Sequence, residues 1–254
     1  MMTIDRPQDR HTAARRALWR EAFGDSDAFL DTFWRTAYSP DRCRCVTAGE
    51  DVAAALYWFD CLHGGEPIAY LYAVATASVY RGQGLCHRLM EDTHRHLAAQ
   101  GYAGVMLVPG DAGLYRFYAG MGYRTCTHLR TLSCHAEAGE SNVHRVDPQE
   151  YAALRRGLLP RGGVVQEGAN LDFLATQTSL YAGDGFLLAA RVRGEELYGL
   201  EWLGDLSHAP AVTHALGCRR GILRTPGGTV PFAMYLPLRM SAPPPPDYFG
   251  LAHD

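Results

Sequence analysis

The chain of 254 residues contains no lysine, so all 24 of its basic side chains are arginines. A nucleoside-triphosphate loop requires a Gly-Lys-Ser/Thr sequence, and the missing lysine excludes that kind of site. The same absence means that the protein offers no lysine side chain on which it could acylate itself. A phosphate site in this chain must therefore rely on arginine and on backbone amides.

Long apolar runs and paired cysteine motifs are also lacking. No apolar run approaches the length that crosses a bilayer, and the segment 1–20 lacks the apolar block of a secretion signal. The seven cysteines are an odd number without a CxxC pair, which favours reduced thiols. A net charge of −3 argues against a nucleic-acid binder. We expect a cytoplasmic protein with neither nucleic-acid nor membrane partners.

The hydrophobic pattern predicts an α/β protein made of two domains of similar design. In the first, helices are predicted within residues 9–38, 84–100 and 111–119, and strands within 42–48, 52–62, 68–76, 105–108 and 123–133. In the second, helices are predicted near residues 148–158, 171–181 and 209–216, and strands within 186–193, 196–203, 219–224 and 230–238.

Composition changes at residues 135–142, whose small and polar residues are typical of a linker. This places one domain at residues 1–137 and a second, smaller one at residues 143–254. The four prolines at 243–246 form a stiff spacer. We expect residues 248–253 beyond it to add a last strand, which could exchange between domains or chains, so a homo-oligomer stays open.

The most informative segment is 70–86, YLYAVATASVYRGQGLC, which predicts a buried strand, a short loop and then a helix. A helix N-terminus carries unpaired N–H groups and a partial positive charge, so it binds phosphate well. Gly82 and Gly84 leave those N–H groups open to a phosphate oxygen, and Arg81 adds a fixed positive charge. A dinucleotide fingerprint would require a third glycine where His87 stands, so a diphosphate of another kind is favoured.

Residues 80–86 resemble the coenzyme A pyrophosphate loop of the GNAT superfamily of N-acetyltransferases, whose pattern is Arg/Gln-x-x-Gly-x-Gly/Ala. Arg81 and Gly84 match that pattern, whereas Cys86 replaces the final small residue. The later segment PGDAGLYRFYAGMGY resembles the family's helix that carries a tyrosine, here Tyr118, with Asp111 where an asparagine is usual. The resemblance covers residues 20–133, and the whole chain resembles bacterial tandem members with a degenerate second GNAT-like domain.

The resemblance implies an acetyl-CoA-dependent N-acetyltransferase in which a primary amine attacks the thioester directly. It implies that Tyr118 protonates the departing thiolate as general acid. It also implies a set of coenzyme A contacts, with acetyl-CoA as co-substrate and no metal. These contacts are Val74, Ala75, Thr76, Arg81, Gly82, Gln83, Gly84, Leu85, Cys86 and Asp111.

The general base is not identified by the sequence. Asp60, His63, Glu66 and Asp111 are candidates, as are a bound water and the carboxylate of Asp254. The acceptor, a small molecule or a peptide amine, also stays open, as does the length of the acyl chain. His87, Glu91 and His94 share one helical stripe and could be read as metal ligands, but a solvated polar face is favoured.

Two further functions stay open. A non-catalytic acyl-CoA-binding regulatory module would fit the degenerate second half and the departures at Cys86 and Asp111. A dinucleotide-binding oxidoreductase would bind NADH, which the missing third glycine disfavours. The presence of Tyr118 favours the enzyme.

Overall fold

The structure is a computed structural model that describes residues 2–253. Its first half contains helices α1 Thr12–Phe23, α2 Asp27–Thr36, α3 Leu85–Ala99 and α4 Ala112–Gly120. The strands of this half are β1 Met2–Asp5, β2 Cys43–Ala48, β3 Asp51–His63, β4 Glu66–Thr76, β5 Gly104–Leu107, β6 Arg124–Thr125 and β7 His128–His135.

The second half contains helices α5 Pro148–Leu158, α6 Ala169–Ala175 and α7 Ala209–Ala215. Its strands are β8 His144–Arg145, β9 Val165–Gln166, β10 Ser179–Gly183, β11 Phe186–Arg193, β12 Glu196–Gly204, β13 Arg220–Pro226, β14 Val230–Pro231 and β15 Met234–Pro237. Helices and strands alternate as the sequence predicted, which confirms the α/β fold class.

Two mixed sheets organise these elements. The first has the order β1-β2-β3-β4-β5-β15-β6, with β9 beside β3, and the second has the order β14-β7-β13-β12-β11-β10-β8. The β4–β5 and β12–β13 pairs are parallel, and the other strand pairs of the described residues are antiparallel.

The two halves exchange strands. β15, from the end of the chain, lies between β5 and β6 in the first sheet, while β7, from the first half, lies between β14 and β13 in the second. The division into residues 1–137 and 143–254 therefore stays a prediction: the first sheet takes β9 and β15 from beyond it, and the second sheet takes β7 from before it.

This exchange corrects two predicted strands. The segment 123–133 is not one strand, because it leaves the first sheet after β6 and enters the second as β7. The segment 230–238 divides in the same way, into β14 and β15. At the crossing, the Cys126 amide donates to the Ala233 carbonyl at 3.0 Å, and the Phe232 amide donates to the Thr127 carbonyl at 3.0 Å. The two segments therefore lie next to each other where they pass from one sheet to the other.

Two other predicted elements also differ. The helix predicted at 171–181 ends at Ala175, because the chain from Ser179 pairs with β11 as strand β10. The last strand predicted at 248–253 is wrong. This segment makes a single backbone bridge, between Gly163 and Tyr248, and side chains of the second half hold it instead.

The first sheet has a different packing partner on each face. Helix α3 packs on β2, β3 and β4 from one face, where Leu89, Met90, Leu71 and Tyr118 form a buried cluster. Helix α1 packs on β3 and β4 from the other face, beside α2 and α6, in a cluster that contains many aromatic side chains. Because successive residues of a strand point to opposite faces, β4 contributes to both clusters.

Candidate active site

A cleft opens where strands β4 and β5 diverge. The two strands pair only from Ile68 to Tyr70 on β4, although β4 continues for six more residues. On the β3 side of β4, residues 73 and 74 lie opposite the single residue Leu56, which is the arrangement of a β-bulge. Ala73 has φ +49°, the one positive φ at a non-glycine residue in the described range. The bulge bends β4 away from β5 and leaves its edge open.

The cleft has a volume of about 750 Å³ and receives side chains from both faces of the sheet. On the face that carries α3, its walls include Leu71, Val74, Leu107 and Tyr118. On the other face, its walls come from the α1–α2 region, from β4 and from the second half of the chain. That set is Trp19, Phe23, Asp25, Phe29, Tyr70, Tyr72, Gln177, Arg191, Arg224, Phe232 and His253.

The predicted phosphate loop forms the N-terminus of α3. Gly82 has φ +75° and Gly84 has φ +70°, a left-handed conformation that glycine adopts without strain. A Cβ at either position would meet no atom within 4 Å, so the space above the loop is open. No side chain caps this 15-residue helix. Its first N–H groups and its dipole therefore face an exposed turn that suits an anion such as a diphosphate.

The neighbours of these glycines differ in their exposure. Arg81 and Gln83 are exposed, and the Arg81 Nε donates to the Thr76 carbonyl at 3.1 Å, which ties the loop to the end of β4. Leu85 is buried in the core under the loop, and Cys86 is half-buried. Burial raises the pKa of the Cys86 thiol to about 11, so this side chain is a neutral contact and not a thiolate.

The three predicted coenzyme A contacts on β4 do not share one environment, because successive residues of a strand point to opposite faces. Val74 lines the cleft, whereas Ala75 is buried toward the α1 face, and Thr76 pairs with Ala54 of β3. Sequence reasoning missed Ala73, whose left-handed backbone belongs to the bulge. An alanine gives no sequence signal for that conformation.

Tyr118 lies on α4 with its ring lining the cleft and only 7% of its surface exposed. Burial, and then the neighbouring Cys86 and Asp111, raise the pKa of its hydroxyl well above the usual value. The hydroxyl therefore keeps its proton at neutral pH. Tyr115 also lines the cleft, but its hydroxyl donates to the Phe232 carbonyl at 2.8 Å and fixes the exchanged segment to α4.

The acidic and histidine candidates for the base lie elsewhere. Asp60 accepts hydrogen bonds from Arg42 and Tyr102, and Glu66 pairs with Arg239 at 2.7 Å. His63 bonds to the Pro244 carbonyl. Asp111 caps α4 by accepting from the Leu114 amide at 2.9 Å. None of these four candidates is among the described residues that line the cleft, and Asp254 lies outside the described residues.

The described residues of the cleft include one acid that sequence reasoning missed, Asp25. It stands in the turn between α1 and α2, where Gly24 ends one helix in a left-handed conformation and Ser26 caps the next. Its Oδ2 accepts a hydrogen bond from the Trp19 Nε1 at 2.8 Å. The sequence offered only an acid in a turn, which is the usual place for a solvated one.

His253 brings the end of the described chain to the same cleft. Its ring lies 4.8 Å from that of Phe59 and 5.1 Å from that of Tyr72, between ring centroids. Its Nε2 bonds to the Asn170 Oδ1 at 2.8 Å. Burial lowers the pKa of His253 to about 3. The imidazole is therefore neutral at physiological pH and too weak a base to deprotonate an ammonium.

The histidines of the α3 stripe have partners within the protein. His94 bonds through Nε2 to the Tyr123 hydroxyl at 2.7 Å, and His87 pairs with Glu91 at 3.2 Å. Within residues 2–253, no group of three or more potential ligands stands close enough to hold a metal ion.

Residues 3–126 match the family model of the acetyltransferase (GNAT) domain. This segment, just under half of the chain, is therefore assigned to the GNAT superfamily, as its loop and α4 motifs predicted. The fold of this family supports acyl transfer from an acyl-CoA to an acceptor.

Several solved structures resemble nearly the whole chain. A GCN5-related N-acetyltransferase from Kribbella flavida is 17% identical over 92% of this chain and 70% of its own, with a TM-score of 0.70. One from Anabaena variabilis is 15% identical over 94% and 73%, with a TM-score of 0.71. Eis1 from Mycobacterium abscessus is 14% identical over 94% and 74%, with a TM-score of 0.68. At these identities the likeness shows a common fold, which extends well beyond residue 126.

A search of curated proteins found no match to the sequence. Among the described residues, no helix is both long and apolar enough to cross a membrane.

Proposed function

We propose that this protein transfers an acetyl group from acetyl-CoA to a primary amine. The observation that carries the proposal is the cleft at the β4–β5 divergence, which has walls on both faces of the first sheet. The phosphate-type loop lies at the start of α3, on one face, and Asp25 lies with its aromatic neighbours on the other. A donor and an acceptor can therefore approach the same point from opposite sides.

In this proposal, the loop from Arg81 to Cys86 holds the coenzyme A diphosphate through the N–H groups at the start of α3. The backbone of Val74, Ala75 and Thr76 hydrogen-bonds the pantetheine arm and the thioester carbonyl, which stabilises the developing oxyanion. Asp111 supports the cofactor by capping α4, on which Tyr118 is held.

The proposed reaction is a direct transfer. The amine nitrogen attacks the thioester carbonyl carbon, and the carbon–sulfur bond breaks as the amide forms. The departing thiolate takes the proton of the Tyr118 hydroxyl. The amine loses its proton to a base or a water, and the Tyr118 hydroxyl regains a proton from water, which balances the step. Because burial raises the pKa of Tyr118, its hydroxyl is protonated at neutral pH and has a proton to donate.

Calorimetric titration with acetyl-CoA tests this function, followed by a thioester-cleavage assay with a panel of primary amines. We expect micromolar binding that is lost in Arg81→Ala and Gly84→Val, because the first removes the loop's charge and the second closes its approach. Arg95→Ala is a matched control, since Arg95 is exposed on α3 far from the loop and pairs with Asp92. Binding without turnover on any amine would instead identify an acyl-CoA-binding module.

A further inference from the structure

The acceptor half of the cleft is the face that carries α1 and α2. Tyr72 is partly buried and packs against the buried cluster on that face, whereas Leu71 and Tyr118 belong to the cluster on the α3 face. Aromatic rings dominate this half, with Trp19 and Tyr72 among its walls and 5.6 Å between their ring centroids. Phe23, at its mouth, is 46% exposed, which is high for a large apolar side chain.

Asp25 is held in place within these rings. Trp19, which donates to its Oδ2, is 2% exposed and packs against Phe33 at 4.7 Å and Tyr57 at 5.1 Å. The capped turn described above fixes the backbone on both sides of Asp25. The other carboxylate oxygen, Oδ1, accepts no hydrogen bond from the described residues. One oxygen is therefore used to orient the carboxylate, and the second is available to a ligand.

The charge of Asp25 reaches into the cleft. Burial raises the pKa of Tyr72, the Asp25 carboxylate raises it further, and Arg191 lowers it, so both charged groups are within electrostatic range of Tyr72. A cation that enters this half loses water, and a partly buried carboxylate compensates for that loss. Aromatic faces attract the same cation and also bury an apolar body.

We propose that the acceptor is a primary amine carried on an aromatic or apolar body, with its ammonium paired to Asp25 and its body against Trp19, Phe29 and Tyr72. This inference rests on the proposed acetyl transfer and specifies its second substrate. Asp25 is a specificity-determining residue in this scheme, and Trp19 is the positioning residue that orients its carboxylate.

The test is a calorimetric titration of 2-phenylethylamine into the protein saturated with coenzyme A, which requires no turnover. We expect Asp25→Asn to weaken amine binding at least ten-fold and to leave coenzyme A binding unchanged. Asparagine keeps an oxygen that accepts from the Trp19 Nε1, so this variant retains the turn. Asp25→Glu, which keeps the charge, should recover part of the affinity.

The control is Asp31→Asn, because Asp31 is an exposed acid of α2 that pairs with Arg16 outside the cleft. Methylamine and spermidine should bind at least ten-fold more weakly than 2-phenylethylamine, since the first lacks an apolar body and the second carries further charges. In turnover assays, Asp25→Asn should raise the KM for the amine and leave the KM for acetyl-CoA unchanged.

The outcomes separate the two proposals. Wild-type protein that does not bind 2-phenylethylamine, or an Asp25→Asn variant that binds it as tightly as wild type, overturns this inference. Methylamine or spermidine binding as tightly as 2-phenylethylamine overturns it too. Binding that depends on Asp25 but is followed by acetylation of no amine supports the binding inference and overturns the proposed function.

Discussion

The hydroxyl of Tyr248 donates a hydrogen bond to the Glu201 Oε1 at 2.9 Å, inside the core of the second half. Arg155 contacts the same carboxylate twice, from Nε to Oε2 at 2.8 Å and from Nη2 to Oε1 at 2.9 Å. Tyr151 donates to Oε2 as well. This network anchors the segment that leads to His253, so a buried ion pair supports one wall of the cleft.

Removing the Glu201 carboxylate should destabilise the protein strongly. Glu201→Ala leaves the Arg155 guanidinium buried without its partner, which costs about 3–5 kcal/mol of unfolding free energy. Urea unfolding measures this loss. The control is Arg156→Ala, which breaks an exposed pair with Glu167 and should cost much less, because water and salt screen an exposed ion pair. Equal losses in the two variants would contradict the anchoring role.

Gly250→Ala should disturb the same anchor without changing a charge. A Cβ at Gly250 would overlap with the Glu201 Oε1 and the Tyr248 hydroxyl. We expect a loss of about 1–3 kcal/mol, because the tail must shift to make room. Gly157→Ala is the comparison, since a Cβ there meets no atom within 4 Å and alanine favours a helix by about 1 kcal/mol. In thermal unfolding, we expect Gly250→Ala to lower the unfolding temperature and Gly157→Ala to raise it.

Tyr118→Phe should lower kcat by about 10²–10⁴-fold, because the variant lacks the proton that the thiolate takes. Acetyl-CoA binding, measured by calorimetry, should stay the same. Tyr115→Phe serves as the comparison, since the Tyr115 hydroxyl bonds to backbone carbonyls of the exchanged segment. That variant should lose stability but keep its turnover. Unchanged turnover in Tyr118→Phe would contradict the assignment of Tyr118 as the general acid.

Stability should fall as the pH falls below about 6.5, and His94 should account for much of this. Burial lowers its pKa to about 4 in the folded protein, below the 6.5 of an exposed histidine. The unfolded chain therefore binds more protons in this window, so acid favours unfolding. The loss from His94 between pH 7 and pH 5 is about 2 kcal/mol. His94→Gln should flatten the pH dependence of urea unfolding, and an unchanged slope would refute this role.

The sequence predicted the parts of the site that depend on local chemistry. Gly82 and Gly84 predict a left-handed turn, and Asp111 predicts the start of a helix. Both conformations depend on residues that are neighbours in the sequence. The walls of the acceptor half depend on contacts between residues far apart in the chain. Trp19 and Asp25 come close to Tyr72 only when α1 packs on β4. No residue spacing in the sequence predicts that these three side chains are neighbours.

The strand exchange was hidden for a similar reason. An apolar alternation predicts a strand but not the sheet that it joins, so residues 123–133 and 230–238 each looked continuous. The break at residue 126 depends on hydrogen bonds to a segment more than one hundred residues later. Local sequence patterns do not predict hydrogen bonds between segments that are so far apart in the chain.

The exchanged strand β15 also determines when the first sheet can be completed during synthesis. The gap between β5 and β6 is filled by residues 234–237. A nascent chain of the first 137 residues therefore lacks an inner strand of the first sheet. The hydrogen bonding of the first sheet is complete only after residues 234–237 have been made, and nascent protein is exposed to association through that gap until then.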